Sequence, residues 1–530
     1  MLYKGIPIIN SNHKSYNLLI AILVAILTTG FLRIHWITFL PEPDGGLYTF
    51  FSQYFFSRLA NGELIEPGYP IALYSFLTSW VYGLEINQYI ALRWIDLCLA
   101  VTASILFFKV IEKESGNLIF SIVTVSALLL VMHNYSFNFY GFRNSIWAAY
   151  VPLFFALYLS QTIKNKNHYL FYFIGAMAAF GVLLREPFIF FYIVGTIAIF
   201  LNYGLKSLVK YLIGSAVLGF SILTIMTILR EESNPITIFH AYINFFQAGQ
   251  ALADELLLKY FFKHSLIAIK AYWFGIAISL ISASYILKLK LKDRKSVSTN
   301  RFFFWLALAI VPIIEPLTKL GFDYHFLNCI PGLAGITAMG WKYINQNESI
   351  ITKNYFLGFI TIICILGVYP NLYRTLNINV YNEKNSISDA YNQLWRDQYS
   401  QIETIRLSNF LIAADMIKKL SRKDSTLATA GYAYSLYPLT RLLPTSFATI
   451  DLRTAFQILN WNEDKLVSLL KKEQPTIIFP TKQRLIGIPN LTRAIQRTGL
   501  YERVAIISDN PNVYYKSIVG DIYRLKSFNQ

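Results

Sequence analysis

From Asn17 to Leu40 the chain is one apolar stretch, and comparable stretches recur at about 88–111, 118–132, 145–162, 169–184, 187–203, 209–229, 265–287, 302–316, 324–341 and 354–370. Crossing the hydrocarbon core takes roughly 20 residues as a helix, because backbone amides that water cannot reach must bond within their own segment. The pattern therefore predicts a polytopic α-helical membrane protein with roughly eleven crossings. No small-residue cleavage site follows the first stretch, so it reads as a retained anchor and not as a removed signal peptide. Composition agrees: 55% hydrophobic, 16% aromatic and only 15% charged residues, with a mean hydropathy of +0.43, is too apolar for an ordinary soluble protein of 530 residues.

A net charge of +17 would suit a nucleic-acid binder, but Lys and Arg sit mostly in short loops between apolar runs and in the last third of the chain. Topology and anionic lipid account for that placement, and nucleic acid is excluded as a partner. Cys98, Cys329 and Cys364 all lie inside apolar runs, without metal-ligand spacing or a disulfide framework.

Basic residues mark the cytoplasmic loops. With the N-terminus inside, those loops carry Lys4 and Lys14, Lys164 and Lys166, Lys206 and Lys210, the dense run Lys288, Lys290, Lys292, Arg294, Lys295 and Arg301, then Lys342 and Lys353. An odd number of crossings puts both 41–87 and everything after 370 outside, in the periplasm of a bacterial inner membrane or its equivalent. The division expected is a transmembrane catalytic domain over 1–370 and an extracytoplasmic α/β domain over 371–530.

The first outer loop opens with PEPDGGLYTFFSQYFFSRLANGELIEPGYP, followed by YPIALYSFLTSWVYGL. Neither half is a full crossing. Their apolar residues, clustered at helical spacing, predict two interfacial helices, with a short, poorly hydrophobic hairpin as the alternative. From about Ile387 hydropathy falls. There TLATAGYAYSLYPL reads as strand, turn and helix start, FATIDL as a strand, DKLVSLLKKEQ as a helix, TIIFP as a strand, RAIQRTGL as a helix, and RVAIIS and NVYYKSI as strands.

Catalysis on a phosphate-bearing lipid needs an acid or base, cations for the phosphate, and aromatics for sugar or lipid. Glu42 and Asp44 stand at the mouth of the first span, and the glycines after Asp44 let backbone and substrate come close. A turn aspartate capping a helix is the plainer account of Asp44. The cation candidates on the outer side are Arg58, Arg143 in FNFYGFRNS, Arg185 in LLREP, Arg230, and Lys319 in EPLTKLGFDYH. An arginine fork binds two phosphate oxygens at once, whereas snorkelling explains any single one of them. Arg93 and Asp96, three apart, read as a pair neutralised on one helix face. Asp254 and Glu255 read as a solvated loop, with a lid or second carboxylate site as the alternative. His325 reads as a satisfied interfacial histidine or as a ligand to substrate.

In this arrangement the chain resembles the GT-C glycosyltransferases, polytopic enzymes that use polyprenyl-phosphate sugars, such as the aminoarabinose and protein-mannosyl transferases. The resemblance rests on Asp44…Tyr48…Leu59-Ala60-Asn61-Gly62 and Gly68-Tyr69-Pro70-Ile71 in the first outer loop, on GFRNS before a span and LLREP at a span's end, and on GYAYSLYPLTRLLPTSFATI opening the outer domain. It implies sugar transfer, with inversion, to a hydroxyl of a glycan, lipid or protein acceptor, Asp44 acting as base with Glu42 beside it. It also implies Arg58, Tyr69, Arg143, Arg185, Lys319 and His325 as donor-phosphate or substrate contacts, with membrane lipid around them. Here Glu42-Pro43-Asp44 stands where the family often has an adjacent acidic pair, and Pro67-Gly68-Tyr69-Pro70 where some members have Lys-Pro-Pro. The sugar, the acceptor and any need for a divalent metal are thereby left open, since only some branches use a metal.

Two other classes compete. A lipid transporter or flippase predicts interrupted helices in repeated halves, and the chain has no such repeat. An O-antigen polymerase or ligase would place its arginine-rich catalytic loops between later spans, whereas here the acid follows the first.

Overall fold

The computed structural model describes residues 11–34, 43–60, 73–84, 88–133, 144–163, 169–229, 257–292, 298–318, 323–377, 407–422, 424–430, 433–434, 436–445, 461–480, 488–508 and 518–529, with single residues at 37, 62, 236 and 456. Every interval expected to cross carries helix. α1 begins as Ser11–Ala25, passes through a π turn at Ile26–Gly30 and ends as Phe31–Ile34. The next two helices, α2 (Pro43–Ala60) and α3 (Leu73–Thr78), form a layer of their own. The bundle resumes with α4 (Gln88–Ser115), α5 (Leu118–Met132), α6 (Asn144–Ser160), α7 (Leu170–Leu184), α8 (Ile189–Ile228) and α9 (Leu257–Lys292). It is completed by α10 (Thr299–Ile310), the short α11 (Ile314–Thr318), α12 (Ile330–Asn347) and α13 (Ile350–Asn377). The expected division at 370 falls within α13, which runs on to Asn377.

Among the described residues, six helical segments are long and apolar enough to cross a membrane, and three shorter apolar helices pack among them. Large aliphatic and aromatic side chains face outward from the bundle, such as Ile197, Phe220, Leu280 and Ile362 at 53, 68, 63 and 59% exposure. In water such a belt would be costly, but against lipid tails it is the solvated surface. The chain is an integral, multi-pass membrane protein.

Close packing inside the bundle depends on small residues, as expected where lipid leaves no hydrophobic drive between helices. α7 meets the second half of α8 so tightly that a Cβ on Gly214 would lie 1.9 Å from the Tyr172 carbonyl oxygen, and one on Gly175 2.0 Å from that of Tyr211. α8 is two helices joined at Gly204, whose φ of +77° reverses the chain where a side chain would be strained.

The interval 324–341 is not helix throughout. Asp323–Cys329 forms a 3-10 segment, buried along its whole length, and α12 starts only at Ile330 with Pro331 in its first turn. That buried segment enters the candidate site.

The C-terminal unit contains α14 (Leu407–Leu420), β1 (Thr426–Ala430), α15 (Leu436–Thr440), β2 (Leu443–Pro444), α16 (Glu463–Glu473), β3 (Ile477–Pro480), α17 (Ile488–Thr498), β4 (Tyr501–Ser508) and β5 (Ile518–Leu525). The sheet order is β2-β1-β3-β5-β4, with β1 parallel to β2 and β3, and β5 antiparallel to β3 and β4. Six of the expected elements are observed: β1, the helix start at α15, α16, β3, α17 and β4. FATIDL and most of NVYYKSI lie outside the described residues, while α14 and the body of β5 were not foreseen.

Candidate active site

α2 is not a lone interfacial helix. Phe50, Phe51, Tyr54 and Phe55 are buried in the same apolar cluster as Leu427, Tyr437, Ile478 and Leu525 of the C-terminal unit. Phe50 lies 4.5 Å from the Tyr437 ring and 5.3 Å from that of Tyr434, and Gln53 Nε2 donates to the Leu442 carbonyl oxygen at 2.9 Å. From the other side, Tyr82 donates to the Thr49 carbonyl oxygen at 3.0 Å, Ser52 and Thr78 share a hydrogen bond at 3.1 Å, and Phe55 meets Phe76 edge-on at 6.0 Å. The apolar face expected at the membrane surface is thus taken up by the α/β domain, with α3 and its 3-10 extension Ser79–Gly83 between α2 and the bundle. Burial pushes the Tyr82 and Tyr437 hydroxyls well above the usual tyrosine range, so both act as neutral donors.

α2 begins at Pro43, which suits a first helical position because its missing N–H would have no partner there. Asp44 is the second residue of that helix. Arg58 closes the other end, its Nε 3.3 Å from the Tyr54 hydroxyl and its guanidinium 5.6 Å above that ring. Glu42, Tyr69, Arg143 and Lys319 lie outside the described residues, as do Arg230, Asp254 and Glu255.

Two buried polar clusters lie at the domain end of the bundle. In the first, Arg33 from α1 forms an ion pair with Asp96 from α4, and Arg33 Nη1 is 3.5 Å from His133 Nδ1 at the end of α5. The pairing expected within α4 runs instead between helices, while Arg93 Nη1 donates to the Ile37 carbonyl oxygen at 2.8 Å. His133 stacks on Trp147 at 4.1 Å, with the Arg33 guanidinium 5.6 Å from that ring. Arg33, Arg93, Asp96 and His133 are at most 4% exposed. Asp96 Oδ1, His133 Nε2 and Trp147 Nε1 have no hydrogen-bond partner among the described residues.

The second cluster grows from α11 and the 3-10 segment. His325 Nε2 is 3.3 Å from Glu315 Oε1, Asn328 donates to Glu315 Oε2 at 3.4 Å, and Tyr150 donates to Asn328 Oδ1 at 2.7 Å. His264 Nδ1 of α9 stands 4.0 Å from Asp323 Oδ1. Arg185, at the end of α7, interacts electrostatically with Tyr150. Trp147 and Tyr150, 5.6 Å apart on α6, join the clusters. Among the described residues no group of three or more His, Cys, Asp or Glu is arranged to hold a metal ion.

Of the residues singled out from sequence, His325 and Arg185 thus fall in one cluster, and Arg58 ends the helix that carries Asp44. Arg33, His133, His264 and Glu315 were missed. The available signal was the cost of charge in apolar sequence, which Glu315 in VPIIEPLT and Arg33 in FLRIHW both carry.

No family model matches the chain, and no curated protein matches it in sequence. Two solved structures are similar along nearly its whole length. One is the crystal structure of ArnT from Cupriavidus metallidurans bound to undecaprenyl phosphate, with a TM-score of 0.49 and 10% identity over 97% of this chain and 98% of that one. The other is the archaeal oligosaccharyltransferase AglB from Archaeoglobus fulgidus in complex with an inhibitory peptide and a dolichol-phosphate, with a TM-score of 0.48 and 10% identity over 98% of this chain and 75% of that one.

Proposed function

We propose that this chain is a membrane glycosyltransferase of the GT-C type. It moves a sugar from a polyprenyl-phosphate donor to an acceptor hydroxyl of a glycan, lipid or protein at the outer face, with inversion. The observation that carries the reading is the placement of α2: the helix whose first turn contains Asp44 packs on the α/β domain and, through α3 and Ser79–Gly83, faces the bundle end that gathers buried Arg33, Arg93, Asp96, His133, Glu315, Asp323 and His325.

Such a layer meets the requirements of the reaction. The leaving polyprenyl phosphate carries negative charge that arginines stabilise, and a fork can hold two of its oxygens. An acceptor hydroxyl is a weak nucleophile until a base takes its proton, which is the role assigned to Asp44. Glu42 is the second carboxylate of that turn. Arg58, Arg143, Arg185 and Lys319 are the phosphate candidates, and Tyr69 and His325 are substrate contacts.

The test is incubation of the purified protein with a panel of polyprenyl-phosphate sugars, reading release of polyprenyl phosphate. Release that depends on one sugar and on an added acceptor supports the proposal. Absence of release across the panel, with donor binding also absent, overturns it.

A further inference from the structure

At the end of the bundle away from the α/β domain, a cavity of about 320 Å3 opens among α6, α7, the first half of α8 and α10. Most of its wall is apolar, including Leu153, Leu157, Ala178, Ile199, Phe304 and Leu308. Lining positions run from Ser298 to Leu308 on α10 and from Phe191 to Asn202 on α8, which at the helical rise spans about 15 Å. The far end lies against Phe154 and Phe191, whose rings pack on Tyr150 and Phe188 at 4.9 and 5.3 Å.

Polar groups gather at the other end. Glu114 is 1% exposed, and its Oε2 receives Arg301 Nη2 at 2.6 Å and Nε at 2.8 Å, with Gln161 Nε2 at 3.4 Å. Its Oε1 has no hydrogen-bond partner among the described residues, and neither has Oε1 of Gln161. Two buried acceptors beside an apolar channel therefore call for donors. Arg301, with its side chain 38% exposed, keeps further N–H groups at the mouth.

We propose that this cavity is a lipid site. One acyl chain of a glycerophospholipid fills the channel, its phosphate meets Arg301, and donors on its headgroup satisfy Glu114 and Gln161. The ammonium of an ethanolamine head and the hydroxyls of a glycerol head share that chemistry, whereas a choline head has no donor to offer. The site is separated from the proposed chemistry by the Tyr150 layer and does not depend on the transferase reading.

The test reconstitutes the full chain in nanodiscs of ethanolamine, glycerol or choline phospholipid, extracts it into detergent and measures retained lipid by native mass spectrometry. One molecule of ethanolamine or glycerol lipid should be retained at least tenfold more often than choline lipid, and the two donor arms identify which head is preferred. A Cβ on Gly195 would meet only the Tyr211 hydroxyl, at 3.6 Å, so Gly195→Leu fits the backbone while its side chain enters the channel. Retention should fall at least tenfold in that variant. Gln161→Leu removes one of the unmatched acceptors without narrowing the channel and should erode the headgroup preference. Equal retention of the three lipids by the wild-type protein, undiminished retention in folded Gly195→Leu, or an unchanged preference in Gln161→Leu would each overturn the proposal.

Discussion

Gln53 Nε2 donates a hydrogen bond to the backbone carbonyl oxygen of Leu442 at 2.9 Å, tying the helix after the first span to a residue 389 positions further along the chain. That bond lies beside the Phe50, Tyr434 and Tyr437 contacts, so the first loop and the α/β domain share one apolar core. Neither would bury those rings alone. The domain thereby positions α2, and with it the turn that bears Asp44.

Phe50 is fully buried, and its removal leaves a cavity that rigid neighbours fill poorly. Phe50→Ala should destabilise the assembly by about 3–5 kcal/mol. The expected result is a lowered melting temperature of the purified protein, with proteolysis at the edges of α2. An unchanged melting temperature would separate the loop from the domain.

The Arg33 and Asp96 pair supports a different prediction. Both are buried at the bundle end, where one unpaired charge costs more than the pair contributes. Arg33→Ala should cost about 3–5 kcal/mol, whereas Arg33→Leu combined with Asp96→Leu should recover part of that loss. Thermal unfolding of the single and double variants in one detergent gives the comparison, and a double variant less stable than Arg33→Ala contradicts it.

These two cases mark what the sequence discloses. Apolar runs reveal the helices directly, because period and length are local properties, and β1, α16, β3, α17 and β4 follow from short-range patterns for the same reason. Partners are not local. Arg93 and Asp96 look like a pair because they are three apart, yet Asp96 meets Arg33, 63 positions earlier in the chain. Likewise the aromatic face of α2 reads as interfacial from its composition, since nothing nearby in sequence names Tyr437 as its cover. The buried 3-10 segment Asp323–Cys329 mixes Asp323, His325 and Asn328 with Tyr, Phe, Leu and Cys and runs directly into α12, so its backbone has no periodic signal of its own to separate it from that helix.

Electrostatics of the α/β domain give a pH prediction. Glu463 accepts from Arg493 Nε at 2.8 Å and from Arg497 Nη1 at 2.9 Å, and these bonds hold its carboxyl below the usual range. A depressed carboxyl stabilises the fold above its unfolded value of about 4.3, and that contribution is lost as pH falls through the lower folded value. Thermal unfolding should therefore be less acid-sensitive in Glu463→Gln than in wild type below about pH 4.3, with Glu463→Gln the less stable of the two at neutral pH. Parallel pH profiles would show that the ion pairs contribute nothing to the domain.

The phosphate candidates Arg58 and Arg185 can be read through binding. If either contacts the donor phosphate, replacement by Ala weakens donor affinity, and Lys restores it only in part because the fork is lost. Unchanged affinity in both variants and in Arg143→Ala would leave snorkelling as their role.

Asp44 carries the sharpest prediction. Asp44→Asn preserves shape and hydrogen-bonding reach but cannot take the acceptor proton, and loss of a general base typically lowers the rate by about 10²–10⁴. Donor binding should change far less if, as proposed, cations and not this acid hold the phosphate. Transfer rates therefore need to be compared at matched insertion levels and saturating donor, so that the loss appears in kcat. Glu42→Gln should cost less, since Pro43 separates it from Asp44 in the sequence and the resemblance gives the base role to Asp44. Near-normal turnover by Asp44→Asn would remove the base from α2 and direct the search to Glu42, or to Asp254 and Glu255.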